Sequence, residues 1–111
     1  MNHLVNKVQL IGNLGGTPEV KTFGENKKVT KFSLATSETY YNKDGERITD
    51  THWHRIVCWN KNAETAEKYL DKGSKIALEG KLTYRTWEDQ KGEKRTITEI
   101  VVNEFMMLGS K

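Results

Sequence analysis

A chain of 111 residues with 18 Lys and Arg against 15 Asp and Glu can hold one domain with a modest core, and it leans basic. At 30% charged and 35% hydrophobic residues it resembles a protein whose sheet or helices keep a wet face. No run approaches the roughly 18 apolar residues of a membrane span, and no basic segment leads into an apolar stretch at the N-terminus, so neither membrane contact nor a secretory signal is expected. The lone cysteine, Cys58, excludes an intrachain disulfide and fits a reducing, cytoplasmic compartment. A net charge of +3 admits a polyanion partner without establishing one.

Leu4, Val8, Leu10 and Leu14 share one parity, which predicts a first strand from Leu4 to Leu14. Gly15-Gly16-Thr17-Pro18 ends it with turn chemistry. A short extended piece, Glu19 to Phe23, leads through polar residues 24–28 into a second strand, Val29 to Tyr40. There Phe32 and Leu34 alternate with Lys31 and Ser33. Asn42-Lys43-Asp44-Gly45-Glu46 carries an Asp-Gly signal and makes a polar hairpin tip. The third strand, Thr51 to Asn60, places Trp53, Arg55, Val57 and Trp59 on one face, with His52, His54, Ile56 and Cys58 on the other.

Asn62 to Lys72 predicts the one helix, with Asn62 as its cap, Glu64 in its first turn and Gly73 as its stop. Ala63, Ala66, Tyr69 and Leu70 form its inward stripe. Ser74 to Trp87 reads as a fourth strand, with Ile76, Leu78, Leu82 and Tyr84 on one face and Lys75, Lys81, Arg85 and Trp87 on the other. Asp89-Gln90-Lys91-Gly92-Glu93 repeats the chemistry of the first hairpin tip. Lys94 to Val102 completes a fifth strand, whose Ile100-Val101-Val102 is apolar on both faces. An all-β chain of five strands with one helix between strands 3 and 4 matches the element order of an OB-fold, a five-stranded Greek-key barrel. No linker or low-complexity tract interrupts it, so residues 1–111 are expected to form a single domain with a core of about 4–108.

Two indoles with a guanidinium between them are odd in a buried core, where the charge would need a partner. They suit a surface that meets a flat, negatively charged polymer, with rings stacked on bases and cations near phosphates. Trp53, Trp59 and Trp87 each share a face with Arg or Lys. Arg55, Lys81 and Arg85 lie on those faces, and Lys43 and Lys91 sit on the hairpin tips. Arg55 and Arg85 are the stronger candidates, because guanidinium also stacks on rings. Tyr40 shares parity with Phe32 and Leu34, so a binding role there requires a bulge or a twist at the strand end.

Other chemistries find little support. His52, His54 and Cys58 share a face but are only three candidate ligands on one strand, without the paired spacing of a zinc site. They read as structural histidines and a core thiol, with no metal and no cofactor. Gly12-Asn13-Leu14-Gly15-Gly16 lacks a Lys-Ser/Thr ending, so it is neither a P-loop nor a dinucleotide fingerprint. No nucleophile motif appears and the acidic residues are read as scattered over loops and helix, so no enzyme activity is expected.

Several segments resemble the bacterial single-stranded-DNA-binding protein family. They are Val5-Asn6-Lys7-Val8, Ile11-Gly12-Asn13-Leu14-Gly15, Pro18-Glu19-Val20, Leu34-Ala35-Thr36-Ser37-Glu38, Trp53-His54-Arg55, Lys72-Gly73-Ser74 and Glu79-Gly80. The likeness runs in register from about Val5 to about Leu108. It implies an OB-fold, a homotetramer, and wrapping of single-stranded DNA without sequence preference in replication, recombination and repair, close to the nucleoid. The family's DNA-contacting aromatics fall on Tyr40, Trp53, Trp59 and Trp87, with Tyr40 where tryptophan is usual and Trp59 where phenylalanine is usual. Self-association is expected through the first strand, around Asn6, Val8 and Leu10, with His54 at a subunit contact. Family members usually continue into a Gly-rich linker and an acidic tip. With Lys111 as the last residue neither is present, so a short form without tail-dependent protein partners is expected.

Two other readings stay open on the residues. One is RNA binding or a primosomal-type accessory role, since nothing identifies or excludes a reader of the 2′-OH. The other is a protein-interaction module that uses the fold as a scaffold.

Overall fold

The computed structural model describes residues 3–109. A 3-10 turn at His3–Asn6 precedes β1 (Val8–Leu14), so the first strand starts later than its parity suggested; the side chain of Leu4 lies outside the described residues. There follow β2 (Glu19–Phe23), β3 (Lys27–Tyr41), β4 (Arg47–Trp59), α1 (Asn60–Tyr69), β5 (Lys75–Glu88) and β6 (Lys94–Met107).

The strands are ordered β1-β5-β6-β4-β3-β2, and β1 also pairs β3. That last pairing closes a ring of five, β1-β5-β6-β4-β3, with β2 annexed to β3 outside it. The result is a closed five-stranded barrel with one helix, the expected OB-fold. The closure is narrow: only Asn13 and Leu14 meet Ala35 and Leu34. It needs a residue without a side chain beside it, because a Cβ on Gly12 would lie 2.2 Å from the Ala35 carbonyl oxygen.

Inside the ring, alternate residues supply one cluster: Leu14, Phe32, Leu34, Ile56, Cys58, Ile76, Leu78, Ile100 and Val102. Val8, Leu10, Leu82 and Phe105 pack against it. A register shift at Glu79/Gly80 pairs Glu79 with Glu104 and Gly80 with Val102. The extra residue on β6 is therefore Asn103, and the bulge lets both Val102 and Phe105 turn inward.

The helix begins two residues before its expected start and ends three before its expected end. Asn62 does not cap it, and Glu64 is not in its first turn. Instead, the Asn62 amide donates to the carbonyls of Val102 (3.3 Å) and Asn103 (3.1 Å), pinning the helix to the bulge. Thr30, wholly buried on β3, donates to the Ala63 carbonyl at 3.0 Å and fixes the other side. Ala63, Ala66 and Leu70 enter the core as expected, whereas Tyr69 stays exposed with Lys68 Nζ 5.4 Å from its ring centre. Among the described residues no helix is long and apolar enough to cross a membrane.

Burial pushes the Cys58 thiol up to about 12. An unfolded thiol ionises near 8.5, roughly, so above that pH the unfolded chain loses a proton that the folded one keeps. Stability is full below that point and falls as pH rises toward 12, by up to about 1.4 kcal/mol per pH unit. Urea unfolding between pH 8 and 10.5 should show this slope in the wild type. Cys58→Ala should flatten it, the difference between the two chains isolating the thiol from Lys and Tyr titration.

Candidate nucleic-acid interface

On β4 the alternation holds. Ile56 and Cys58 are in the core, while Trp53 and Trp59 are 62% and 43% exposed. They stand six residues apart on one face, about 20 Å along the strand. Val57, between them in the pattern, is buried. Its ladder neighbour Lys31 accounts for this: to bring Nζ within 3.9 Å of Glu99 on β6, the Lys31 stem must cross β4 at Val57.

Beyond the barrel, the strands continue as two hairpin arms, β3–β4 and β5–β6. β4 and β6 run parallel and pair only at Ile56↔Ile100 and Val57↔Val101. Further out they separate, leaving an open cleft of about 310 Å³ lined by Trp53, His54, Arg55, Leu82, Thr96 and Ile97, among others. A second hollow of about 270 Å³ lies on the far side of Trp53, against Gly15, Gly16, Thr17 and Lys31. Trp53 lines both hollows. It rests over Gly15, where an added Cβ would come 2.4 Å from ring atom Cζ3.

The cations singled out in the sequence lie on the outer side of the barrel and on its arms. Arg55 is two pairs along from Trp53 on the same face and makes no ion pair among the described residues. Lys81 pairs Val101 on the outer side of β5, exposed. Arg85 pairs Ile97, and Trp87, 41% exposed, pairs Arg95 higher on the same arm. Lys43 and Lys91 stand exposed on the two tips. The tips share one design. Asn42 Oδ1 accepts from the N–H groups of Asp44 and Glu46, and Asp89 Oδ1 accepts from those of Lys91 and Glu93, each at 2.9 Å. The Glu93 N–H, chiefly, holds the Asp89 carboxyl below the usual carboxylate range.

Tyr40, for which a bulge or a twist at the strand end was expected, is exposed with no bulge. Register runs unbroken from Val29↔Trp59 to Tyr41↔Arg47. By the time β3 reaches Tyr40 it has left the barrel, and inward parity no longer means burial. The cost is that Tyr40, opposite Ile48, lies on the other face of the arm from Trp53. Tyr41, opposite Arg47 and highly exposed, is the aromatic on the Trp53 side, and the sequence reading passed over it. Tyr84, read on one face with Ile76, Leu78 and Leu82, is likewise exposed on its arm.

Seven acids lie on strands, against the reading of carboxylates as scattered over loops and helix: Glu19, Glu38, Asp50, Glu79, Glu88, Glu99 and Glu104. Glu99 sits on β6 in the middle of this face with its side chain only 12% exposed. Its Oε2 accepts from Arg85 Nη2 at 3.3 Å and lies 3.9 Å from Lys31 Nζ. Arg85 is thus already engaged, unlike Arg55.

Elsewhere, His54 is half-buried with Nε2 2.9 Å from Thr36 Oγ1, and desolvation, with a smaller contribution from His52, lowers its pKa. The Asn6 side chain bonds both backbone groups of Leu82, at 3.0 Å each, and so extends the β1–β5 ladder. Val8 and Leu10 face the core, but from Val8 to Gly12 the second edge of β1 has no strand partner among the described residues. Beside it, Ile11, Ala77 and Met106 line an apolar groove of about 640 Å³ across β1, β5 and β6.

A model of the single-strand binding protein family matches residues 5–108. "Single-stranded DNA-binding protein 1" of Chlorobaculum tepidum is 44% identical over 108 residues, covering 96% of this chain and 67% of that protein. Among solved structures, the Plasmodium falciparum SSB in complex with ssDNA superposes with a TM-score of 0.85 at 35% identity, over 94% of this chain and 95% of that one. A deletion mutant of the single-stranded DNA binding protein from Thermus aquaticus gives 0.81 at 27% identity, over 96% of this chain and 51% of the other. The barrel with its two arms and the match along almost its whole length lead to one conclusion: this chain belongs to the single-strand binding protein family.

Proposed function

We propose that this protein binds single-stranded DNA without reading its sequence, through Tyr40, Trp53, Arg55, Trp59, Lys81, Arg85, Trp87, Lys43 and Lys91. The observation that carries the proposal is Trp53, an exposed indole whose residue lines two hollows, with Arg55 on the same face and in no ion pair among the described residues. Bases enter the hollows and stack on the ring, and cations on both arms take the phosphates. Stacking is indifferent to base identity because every base has a π-face. The Plasmodium falciparum relative of the same fold was solved with ssDNA, which favours this ligand over a protein partner. By keeping strands open and shielded, the protein serves replication, recombination and repair in the cytoplasm, near the nucleoid, with no catalytic chemistry.

Self-association completes the proposal. The free edge of β1 pairs with its counterpart on a second copy, and the groove at Ile11 and Met106 buries its apolar side against further copies, giving a tetramer. Asn6, bonded to Leu82, steadies the start of that region, and His54 takes part in a subunit contact. Light scattering coupled to size exclusion reads the subunit count.

Oligo-dT titrated against indole fluorescence at several salt concentrations tests binding. Quenching is expected, with log K falling against log [salt] by roughly 0.7 for each phosphate neutralised. An absence of quenching, or a flat salt response, rejects the mechanism. Oligo-U competing as well as oligo-dT would turn the assignment toward RNA.

A further inference from the structure

Resting on the proposed binding face, we infer that Glu99 is a specificity device: it occupies the phosphate position between Lys31 and Arg85 and discriminates against polyanions that offer charge without unstacked bases. A carboxylate is an expensive group to place, mostly desolvated, at the centre of a face meant for an anionic polymer. Its two cations come from opposite sides. Lys31 reaches from β3 across β4, and Arg85 comes from the neighbouring β5; both point to the same oxygen, Oε2. That convergence of an ammonium and a guanidinium on one oxyanion is the arrangement a backbone phosphate seeks.

With Glu99 in place, two central cations present a net charge of +1 to an incoming phosphate. A polymer that interacts by charge alone meets a weakened site and the repulsion of a carboxylate. A single strand compensates by stacking its bases on Trp53 and its neighbours; a duplex, its bases already stacked on each other, cannot. The device therefore trades affinity for selectivity, by penalising the wrong ligand more than the right one.

The test compares the wild type with Glu99→Gln, which keeps shape and hydrogen bonding but removes the charge. Each is titrated with oligo-dT and with a duplex of equal phosphate count. Glu99→Gln should bind both more tightly at low salt, by about two- to fivefold for oligo-dT and by a larger factor for the duplex, so that selectivity falls. Its salt slope should steepen by roughly 0.7, the share of one extra phosphate. The gain should need Arg85: Arg85→Gln should cost more in the Glu99→Gln background than in the wild type. If Glu99→Gln binds no better, or gains equally for both ligands, Glu99 is a structural strut and the inference falls, while the binding proposal stands. If the wild type itself fails to bind oligo-dT, the binding proposal falls and takes the inference with it. Thermal unfolding of the variant confirms that folded proteins are compared.

Discussion

Trp53→Ala should weaken binding of oligo-dT by about 1–3 kcal/mol, roughly 5- to 150-fold, and hardly change the melting temperature. The magnitude comes from single-strand-binding OB-folds and is adopted for this one. The separation of the two effects follows from exposure: an indole 62% open to water contributes little burial to the fold. Gly15 offers an independent check on the same ring. A methyl at that position would meet Cζ3 and Cη2 of Trp53, at 2.4 and 2.8 Å, and no backbone atom among its nearest contacts. The ring yields and the barrel does not. Gly15→Ala should therefore fold normally yet bind less well, because the Trp53 ring is displaced from its seat. The double variant should bind no worse than Trp53→Ala alone, since both changes act on one ring. Anisotropy of a labelled oligo-dT measures all three. Additive losses would show that Gly15 contacts DNA by itself.

What the sequence revealed, and what it hid, divides along the range of the interactions involved. Strand alternation is local, so Trp53, Arg55 and Trp59 against Ile56 and Cys58 could be assigned from ten consecutive residues. The order of strands and helix was equally legible, and with it the barrel. Alternation says nothing, however, about where a strand leaves the barrel. Tyr40 and Tyr84 share parity with core residues of their strands, yet both are exposed because their arms project past the core. The helix start was missed for a similar reason: Asn62 has cap chemistry, but it lies inside the helix and its amide nitrogen donates to the distant carbonyls of Val102 and Asn103. Glu99 was the costliest omission. Its setting depends on two pairings, β4 with β6, which brings Lys31 near, and β5 with β6, which brings Arg85, and residues 31, 85 and 99 share no local pattern.

Leu34→Ala should show the reverse profile to Trp53→Ala, with a loss of about 2–5 kcal/mol in stability and intact binding by the molecules that remain folded. Leu34 is fully buried where the ring closes, paired with Leu14 on β1 and with His54 on β4. Three strands thus lose a shared contact, and the neighbours at that junction are held by backbone pairing that limits collapse into the cavity. A small domain has about 5–15 kcal/mol in all, so urea unfolding should register a large fraction of the total. Affinity, measured at low temperature and without denaturant, should stay near wild type, because Leu34 and Trp53 point to opposite faces of the sheet. If affinity falls along with stability, the arms depend on the tightness of the barrel and the two cannot be varied separately. If it holds, the barrel is a scaffold whose core and outer face can be altered independently, and the losses at Trp53 and Gly15 belong to the site alone.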